Sequence, residues 1–143
     1  KNKIKKLFTL SYKNKKILHN NINFIENSEA EMVKYFRNCF LSTKVSFCNE
    51  IEEFCSKKKI NYDVVREFGG VDPRIGKSHT MVPGPDGKRG FGGTCFPKDT
   101  SALKHEMEQL GMKSYVLDSI IKRNLEVDRN EKDWEDNKGR AVV

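Results

Sequence analysis

The stretch from Ser28 to Lys59 contains neither glycine nor proline, and it constrains the fold more than any other part of the sequence. Ser28 is followed three residues later by Glu31, a pairing that typically caps the start of a helix. A helix of about 30 residues is roughly 45 Å long at 1.5 Å per residue. Apolar residues recur along it at intervals of three, four and seven, which predicts one apolar stripe. This stripe consists of Val33, Phe36, Phe40, Phe47, Ile51 and Phe54.

So long a helix is difficult to cover within a chain of 143 residues. Hydrophobic residues make up 36% of the chain and charged residues 33%, a polar balance for a self-contained globule. Helices of this composition commonly complete the burial of their apolar faces against a partner. We therefore expect a homodimer in which the apolar stripe packs against a second copy across a two-fold axis.

Shorter elements flank the long helix. Residues 2–13 carry apolar side chains at helical spacing, whereas residues 17–25 alternate apolar residues with asparagine, which predicts a short strand. Asn61 is a suitable cap for a short helix that runs to Phe68, where two glycines end it. The pattern further predicts a helix from Pro97 to Gly111, a last helix over 114–136 and the opening of a buried strand over 139–143.

Together these elements predict a mainly α fold, with a long central helix, two or three further helices and short strand remnants at both ends. Between Gly69 and Lys98 the chain is rich in glycine and proline and predicts a long loop. Loops of this length without secondary structure are uncommon in compact domains and usually functional or disordered. The chain begins at Lys1, and its first residues resemble neither a secretory leader nor a membrane span, so we interpret it as an excerpt of a larger cytoplasmic protein.

The remaining composition argues against several kinds of site. Four cysteines and three histidines are widely spaced, so we expect no metal site and reduced thiols. Cys39, Cys48 and Cys55 accompany the apolar residues of the long helix and are expected in the core. The net charge of +7 raises the question of nucleic-acid binding, but much of the excess lies in two lysine clusters typical of solvated faces. We expect no nucleic acid and no membrane as partners.

The glycine-rich loop ends in a chemically suggestive run from Gly90 to Asp99. Consecutive glycines let a backbone approach a ligand and expose N–H groups that can bind an anion or a developing oxyanion. Cys95 precedes the predicted helix start and lies close to Lys98, and both effects favour the reactive thiolate. Asp99 lies in the first turn, where a carboxylate is favoured. The alternative is a glycine-rich turn beside an inert cysteine, and these residues alone do not decide between the two.

Lys34 and Asn38 are four residues apart and project from the same side of the long helix. A lysine and an amide in this arrangement can hold an oxygen that becomes negative during a reaction. Most such pairs, however, simply form a solvated helix face.

Three blocks of sequence, taken together, resemble the central domain of the UDP-glucose 6-dehydrogenases. They occur in the order found in that family, and the similarity covers about residues 28–130. The blocks are Ala30 to Leu41 (AEMVKYFRNCFL), Asp72 to Gly76 (DPRIG) and Gly90 to Asp99 (GFGGTCFPKD). The resemblance implies that residues 1–27 end an NAD-binding domain and that residues 131–143 begin a UDP-binding domain.

That resemblance implies an enzyme that uses NAD twice to oxidise the primary alcohol of UDP-glucose, or a related nucleotide sugar, to a carboxylate. Cys95 matches the nucleophile that forms a thiohemiacetal and then a thioester. Lys34 and Asn38 match the positions that stabilise the oxyanion, and Asp99 matches the residue that positions or activates the hydrolytic water.

The resemblance also implies binding roles. Arg74 matches an arginine that reaches the substrate of the other subunit, and Phe91 and Gly92 match positions that contact substrate. Four consecutive positions match the border of the nicotinamide, namely Cys95, Phe96, Pro97 and Lys98.

The chain departs from the family by lacking the glycine fingerprint of a dinucleotide-binding domain, G-x-G-x-x-G after a strand, and the UDP-binding half. We therefore expect the isolated segment neither to bind NAD tightly nor to turn over UDP-glucose. Three alternatives stay open at the level of sequence. They are a GDP-mannose or UDP-N-acetylmannosamine dehydrogenase segment, a helical dimerisation module without catalysis, and a basic nucleic-acid-binding domain.

Overall fold

A computed structural model describes residues 1–137 of the chain. Within them lie five α-helices: α1 Asn2–Lys13, α2 Asn27–Lys58, α3 Tyr62–Gly69, α4 Cys95–Gln109 and α5 Tyr115–Arg123. A π-helical turn, Asn124–Asp128, follows α5 directly, and a 3-10 turn covers Asp133–Asn137. The described residues contain neither strand nor sheet, so the predicted mainly α fold is confirmed.

The chain divides into two compact units, Lys1–Val33 and Lys34–Val143. In the first unit, α1 has no buried side chain. The strand predicted over residues 17–25 is wrong, because these residues form neither helix nor strand. A strand needs a neighbour to pair its backbone groups, and alternation of side chains alone does not supply one.

The long helix α2 has 32 residues and confirms the interpretation of the stretch without glycine or proline. Its start differs in register from the predicted capping pair of Ser28 and Glu31. The helix begins one residue earlier, at Asn27, and the N–H of Glu26 donates to Glu29 Oε2 at 3.0 Å. The carboxylate that caps the helix start is therefore that of Glu29, two residues before the predicted Glu31.

Two apolar clusters form the core of the second unit. One contains Cys39, Phe91, Leu117 and Ile120, and brings α2, α5 and the glycine-rich loop together. The other contains Cys48, Cys55 and Tyr62, and packs α3 against the second half of α2. Cys39, Cys48 and Cys55 are all buried, as predicted.

Much of the apolar stripe of α2 remains uncovered. Phe36, Phe40, Phe47 and Phe54, here called the phenylalanine face, are 55 to 65% exposed. The rings of Phe36 and Phe40 stack with their centroids 6.3 Å apart. None of the helices among residues 1–137 has both the length and the apolar character that crossing a bilayer requires.

The sequence correctly predicts α3, since the Asn61 side chain accepts hydrogen bonds from two backbone N–H groups at its start. The single helix predicted over 114–136 is wrong. The α-helix ends at Arg123, and the chain continues as the π-helical turn, in which the N–H of Arg129 donates to the carbonyl of Asn124 at 2.8 Å. The strand predicted over 139–143 lies outside the described residues.

Candidate active site

Cys95 is the first residue of α4, and its thiol is exposed. The helix begins two residues earlier than predicted, because Pro97 occupies its first turn, where no backbone N–H needs an intrahelical partner. Thr94, the residue before the helix, makes no capping hydrogen bond with its side chain. Cys95 therefore lies within the first turn itself, where backbone N–H groups carry the partial positive charge of a helix start.

One turn further along α4, the carboxylate of Asp99 joins three of the predicted site residues. Asp99 Oδ2 accepts a hydrogen bond from Asn38 Nδ2 at 2.5 Å. Asp99 Oδ1 lies 2.9 Å from the ammonium of Lys98 and 3.3 Å from that of Lys34. The structure thus brings together two residues of α2 and two of α4 that the sequence singled out separately.

The surroundings of Asp99 hold its carboxylate in the charged form. Its side chain is only 1% exposed, and this burial raises the pKa of Asp99. The hydrogen bond from Asn38 and the ammonium groups of Lys98 and Lys34 outweigh burial, so that the pKa lies below its usual range. The same carboxylate raises the pKa of Lys98. Neither lysine approaches Oδ1 at the angle of a hydrogen bond, and this buried oxygen keeps an unused acceptor position.

Cys39 provides a contrast with Cys95. Its sulfur lies 3.7 Å from the backbone oxygen of Asp99, on the buried side of the cluster. Burial and the charge of Asp99 raise the pKa of Cys39 to about 11, which keeps its thiol protonated and inert. Of the four cysteines, Cys95 alone is exposed.

The glycine-rich loop is pinned at Gly90 and Phe91 before it reaches Cys95. The Phe91 ring is buried in the core, while its N–H donates to Asn124 Oδ1 and its carbonyl accepts from Asn124 Nδ2, both at 2.8 Å. The N–H of Gly90 donates to Asn49 Oδ1 at 3.1 Å. The N–H groups of Gly92 and Gly93 meet no acceptor within residues 1–137.

Arg74 lies apart from the Asp99 cluster. Its guanidinium is exposed and pairs with the carboxylate of Asp72 at 2.6 Å. The turn that carries it is tied to α2 by the ammonium of Lys44, which donates to the carbonyls of Ile75 and Gly76. The guanidinium of Arg74 therefore faces away from the rest of its own chain.

Cavities adjoin the loop, and Phe91 lines two of them. One, of about 560 Å³, is lined by His79, Met81, Gly92, Gly93 and Phe96, among others. The other, of about 460 Å³, is lined by Thr94, Pro97, Lys98 and Trp134, among others. Gly92, an expected substrate position, thus lines a different cavity from Pro97 and Lys98, two of the expected cofactor positions. Phe96, a third expected cofactor position, lines the same cavity as Gly92.

Sequence reasoning missed several residues that shape this site. Asn49 and Asn124 are each 1% exposed, and both hold the loop backbone. The guanidinium of Arg129 lies against Gly92 so closely that a Cβ on that glycine would overlap with it. Asparagines and arginines within helices carry no local pattern that predicts such contacts, which arise only from the tertiary arrangement.

Comparison with known proteins identifies similar sequences. A model of the UDP-glucose/GDP-mannose dehydrogenase family, central domain, matches residues 28–126. The UDP-glucose 6-dehydrogenase of Pseudomonas aeruginosa is 40% identical over 106 residues, which is 74% of this chain and 22% of that protein. That of Rickettsia typhi is 40% identical over 95 residues, or 66% of this chain and 21% of that protein.

A third relative, UDP-glucose 6-dehydrogenase TuaD of Bacillus subtilis, is 38% identical over 95 residues, or 66% of this chain and 20% of that protein. The match therefore spans 20 to 22% of the length of these three relatives.

Proposed function

Because the chain belongs to the UDP-glucose/GDP-mannose dehydrogenase family, as its sequence blocks predicted, we propose that it is the central segment of an NAD-dependent UDP-glucose 6-dehydrogenase. In this role it supplies the catalytic cysteine and the charged group around it. The observation that carries the proposal is the placement of Asp99, which joins Asn38, Lys34 and Lys98 one turn beyond the exposed Cys95.

Cys95 is the proposed nucleophile. Its thiolate adds to the carbonyl carbon of a sugar aldehyde, and the electrons of the carbonyl π bond move to the oxygen. The product is a thiohemiacetal whose oxygen is at first an alkoxide. Loss of hydride from that carbon gives a thioester, and water hydrolyses it to the carboxylate and the free thiol. A thiolate suits both halves of this sequence because it adds readily to carbonyls and leaves readily from thioesters.

Lys34 and Asn38 act on the oxygen that becomes negative. The Lys34 side chain is about half exposed, which lets its ammonium turn from Asp99 towards a ligand. The N–H groups of Gly92 and Gly93, for which residues 1–137 provide no acceptor, are additional donors for such an oxyanion. Asp99, held as a carboxylate by its three partners, positions or activates the water that hydrolyses the thioester.

The NAD site is completed by parts of a protein beyond this segment. NAD, when bound, accepts the hydride in each oxidation. Of the chain's own residues, Cys95, Phe96, Pro97 and Lys98 border the nicotinamide at the start of α4. The exposed Cys95 and the half-buried Pro97 and Lys98, which line the 460 Å³ cavity, fit this bordering role. Residues 1–137 contain no sheet on which a dinucleotide fold could be built.

The substrate occupies the other side of the loop. The 560 Å³ cavity, lined by Gly92 and by the backbone around Phe91, is the proposed place for the sugar of UDP-glucose. Arg74 points away from its own chain and would serve the substrate of a second copy, joined in a homodimer through the phenylalanine face. Residues 28–130 form the central domain in this proposal, with 1–27 and 131–143 belonging to its neighbours.

The alternative functions have less support than the proposed one. The relatives described above are named UDP-glucose 6-dehydrogenases, which supports UDP-glucose over GDP-mannose or UDP-N-acetylmannosamine. A dimerisation module without catalysis needs no exposed cysteine beside a buried carboxylate with three polar partners. Nucleic-acid binding would require a continuous basic surface, whereas many cations of the second unit are paired with carboxylates.

The test is to graft residues 28–126 in place of the matching segment of the Pseudomonas aeruginosa enzyme and to follow NADH formation from UDP-glucose. Activity that Cys95→Ser abolishes and Cys48→Ala preserves supports the proposal. If the graft folds but Cys95→Ser and Cys48→Ala lower NADH formation equally, the result contradicts the proposal. The isolated chain is expected to form no NADH, and turnover by the chain alone would contradict its role as one part of the site.

A further inference from the structure

The π-helical turn Asn124–Asp128 delivers two side chains to the glycine-rich loop. In a π-turn the N–H of one residue bonds to the carbonyl five residues earlier, as Arg129 does to Asn124 at 2.8 Å. Residues five apart then lie on the same side, whereas in an α-helix of 3.6 residues per turn they point about 140° apart. Asn124 and Arg129 accordingly reach adjacent residues of the loop, Phe91 and Gly92.

Asn124 binds both backbone groups of Phe91 and is 1% exposed. A side-chain amide that donates to the carbonyl and accepts from the N–H of one residue fixes the rotation of that residue completely. Gly90, next to it, has a φ of +68°, and a Cβ there would overlap with Asn124 Oδ1. The loop therefore passes the π-turn in a single register.

Arg129 covers the next residue. It is 4% exposed, and its guanidinium is held by two hydrogen bonds of 2.8 Å to Asp133 and by an ion pair of 2.7 Å with Asp86. Because its position is fixed by two carboxylates, it forms a rigid surface against Gly92. With Phe91 and Gly92 both held, the N–H groups of Gly92 and Gly93, which meet no acceptor among the described residues, are kept in one orientation three and two residues before Cys95.

We propose that Asn124 is a positioning residue for the nucleophile, holding through Phe91 the glycine-rich loop that leads into Cys95. This inference rests on the proposed role of Cys95 as nucleophile and adds the element that holds its surroundings in place. Asn124 acts through the loop and does not itself touch the thiol. Without these hydrogen bonds, the helix start remains, but the loop that leads into Cys95 is no longer held in one register and its N–H donors are no longer preorganised.

The test uses the reactivity of the Cys95 thiol in the chain itself, read by mass spectrometry after timed reaction with a pyridyl disulfide. Asn124→Ala is expected to lower the Cys95 rate about fivefold or more, because the N–H donors of the loop before Cys95 are no longer preorganised. It should also speed hydrogen exchange of the Phe91 amide about tenfold relative to amides of α3, because that N–H loses its acceptor. Faster exchange with an unchanged thiol rate would assign Asn124 a purely structural role and overturn the proposal.

Asn124→Asp supplies a readout that loss of stability does not mimic. A protonated carboxyl restores one donor and one acceptor, whereas the ionised form faces the Phe91 carbonyl. The nearby charged groups are already paired, Asp128 with Arg123 and Arg129 with Asp133 and Asp86. Burial at this position, which is 1% exposed, opposes ionisation of the new carboxyl and raises its pKa. The Cys95 rate of this variant, divided by that of the parent chain at the same pH, should therefore be several-fold higher at about pH 5.5 than at about pH 8. A ratio that does not depend on pH would overturn the proposal.

Tyr62→Phe is the matched control, because it removes another buried hydrogen bond to a backbone carbonyl, that of Thr80 at 2.8 Å. It should leave the Cys95 rate unchanged. An equal fall in Tyr62→Phe and Asn124→Ala would also overturn the proposal. None of these measurements depends on NADH formation, so their failure is separate from failure of the proposed enzymatic function.

Discussion

Asn38 and Asp99 are joined by a hydrogen bond of 2.5 Å although 61 residues separate them in the chain. The bond links the first half of α2 to the second turn of α4 and sets the carboxylate between two ammonium groups. It therefore connects the two helices on which the proposed oxyanion stabiliser and the proposed nucleophile lie. Together with the contacts of Lys34 and Cys39 to Asp99, it fixes how these two parts of the site face one another.

Asp99→Asn should lower the free energy of unfolding by about 2 kcal/mol near pH 7, the usual size of hydrogen bonds and pairs that involve a charged group. The folded pKa of Asp99 is depressed, so its stabilisation is fully present above the unfolded pKa and is lost as pH falls through the folded pKa. The difference between variant and parent should accordingly shrink below about pH 4. Urea unfolding at a series of pH values measures it, and a constant difference would contradict this account.

Thiol labelling of the folded chain should show one fast cysteine and three slow ones. Cys95 is exposed, whereas Cys39, Cys48 and Cys55 are buried, and burial raises the pKa of Cys39 to about 11. Cys95→Ser should remove the fast phase completely, and addition of denaturant should expose the remaining three thiols. A second fast thiol in the native chain would show that the packing of α2 differs from that described.

Gly92→Ala should destabilise the loop by about 1 to 3 kcal/mol, the range typical of overpacking. The reason is that its Cβ would overlap with the guanidinium of Arg129, which two carboxylates hold in place. Gly69→Ala is the control, since a Cβ at Gly69 has no neighbour within 4 Å. Thermal unfolding compares the two, and equal effects would contradict a specific contact between residues 92 and 129.

The helices that the sequence predicts correctly are those whose ends are marked by local chemistry. Absence of glycine and proline defines α2, and the Asn61 cap with the glycines after Phe68 defines α3. The strand expected over 17–25 depends on a pairing partner, which no local pattern supplies. Lys34 and Asn38, predicted to project from one side of α2, both reach Asp99, because helical spacing carries information about sides of a helix. Their meeting with Asp99 of α4 is a tertiary contact that no local pattern predicts.

The parts that escaped prediction are those created by tertiary contacts. Asn124 and Arg129 look like ordinary polar residues of a helical pattern, and only the π-turn brings them to the same loop. Asn49 on α2 is similarly unremarkable in sequence, yet it accepts the N–H of Gly90 across 41 residues. Which side chains hold a loop depends on the path of that loop, and the packed core fixes the path.

The phenylalanine face predicts the state of association of the chain. Four phenylalanines on one side of α2 are 55 to 65% exposed, and an apolar surface of this kind is stabilised by burial at about 25 cal/mol per Å². We expect the chain to dimerise through this face, and Phe40→Asp should weaken the dimer at least tenfold, because its carboxylate would be buried against an apolar partner. Phe68→Asp is the control, since Phe68 is 77% exposed on α3. Sedimentation equilibrium measures both variants, and a folded parent chain that stays monomeric at high concentration would rule this interface out.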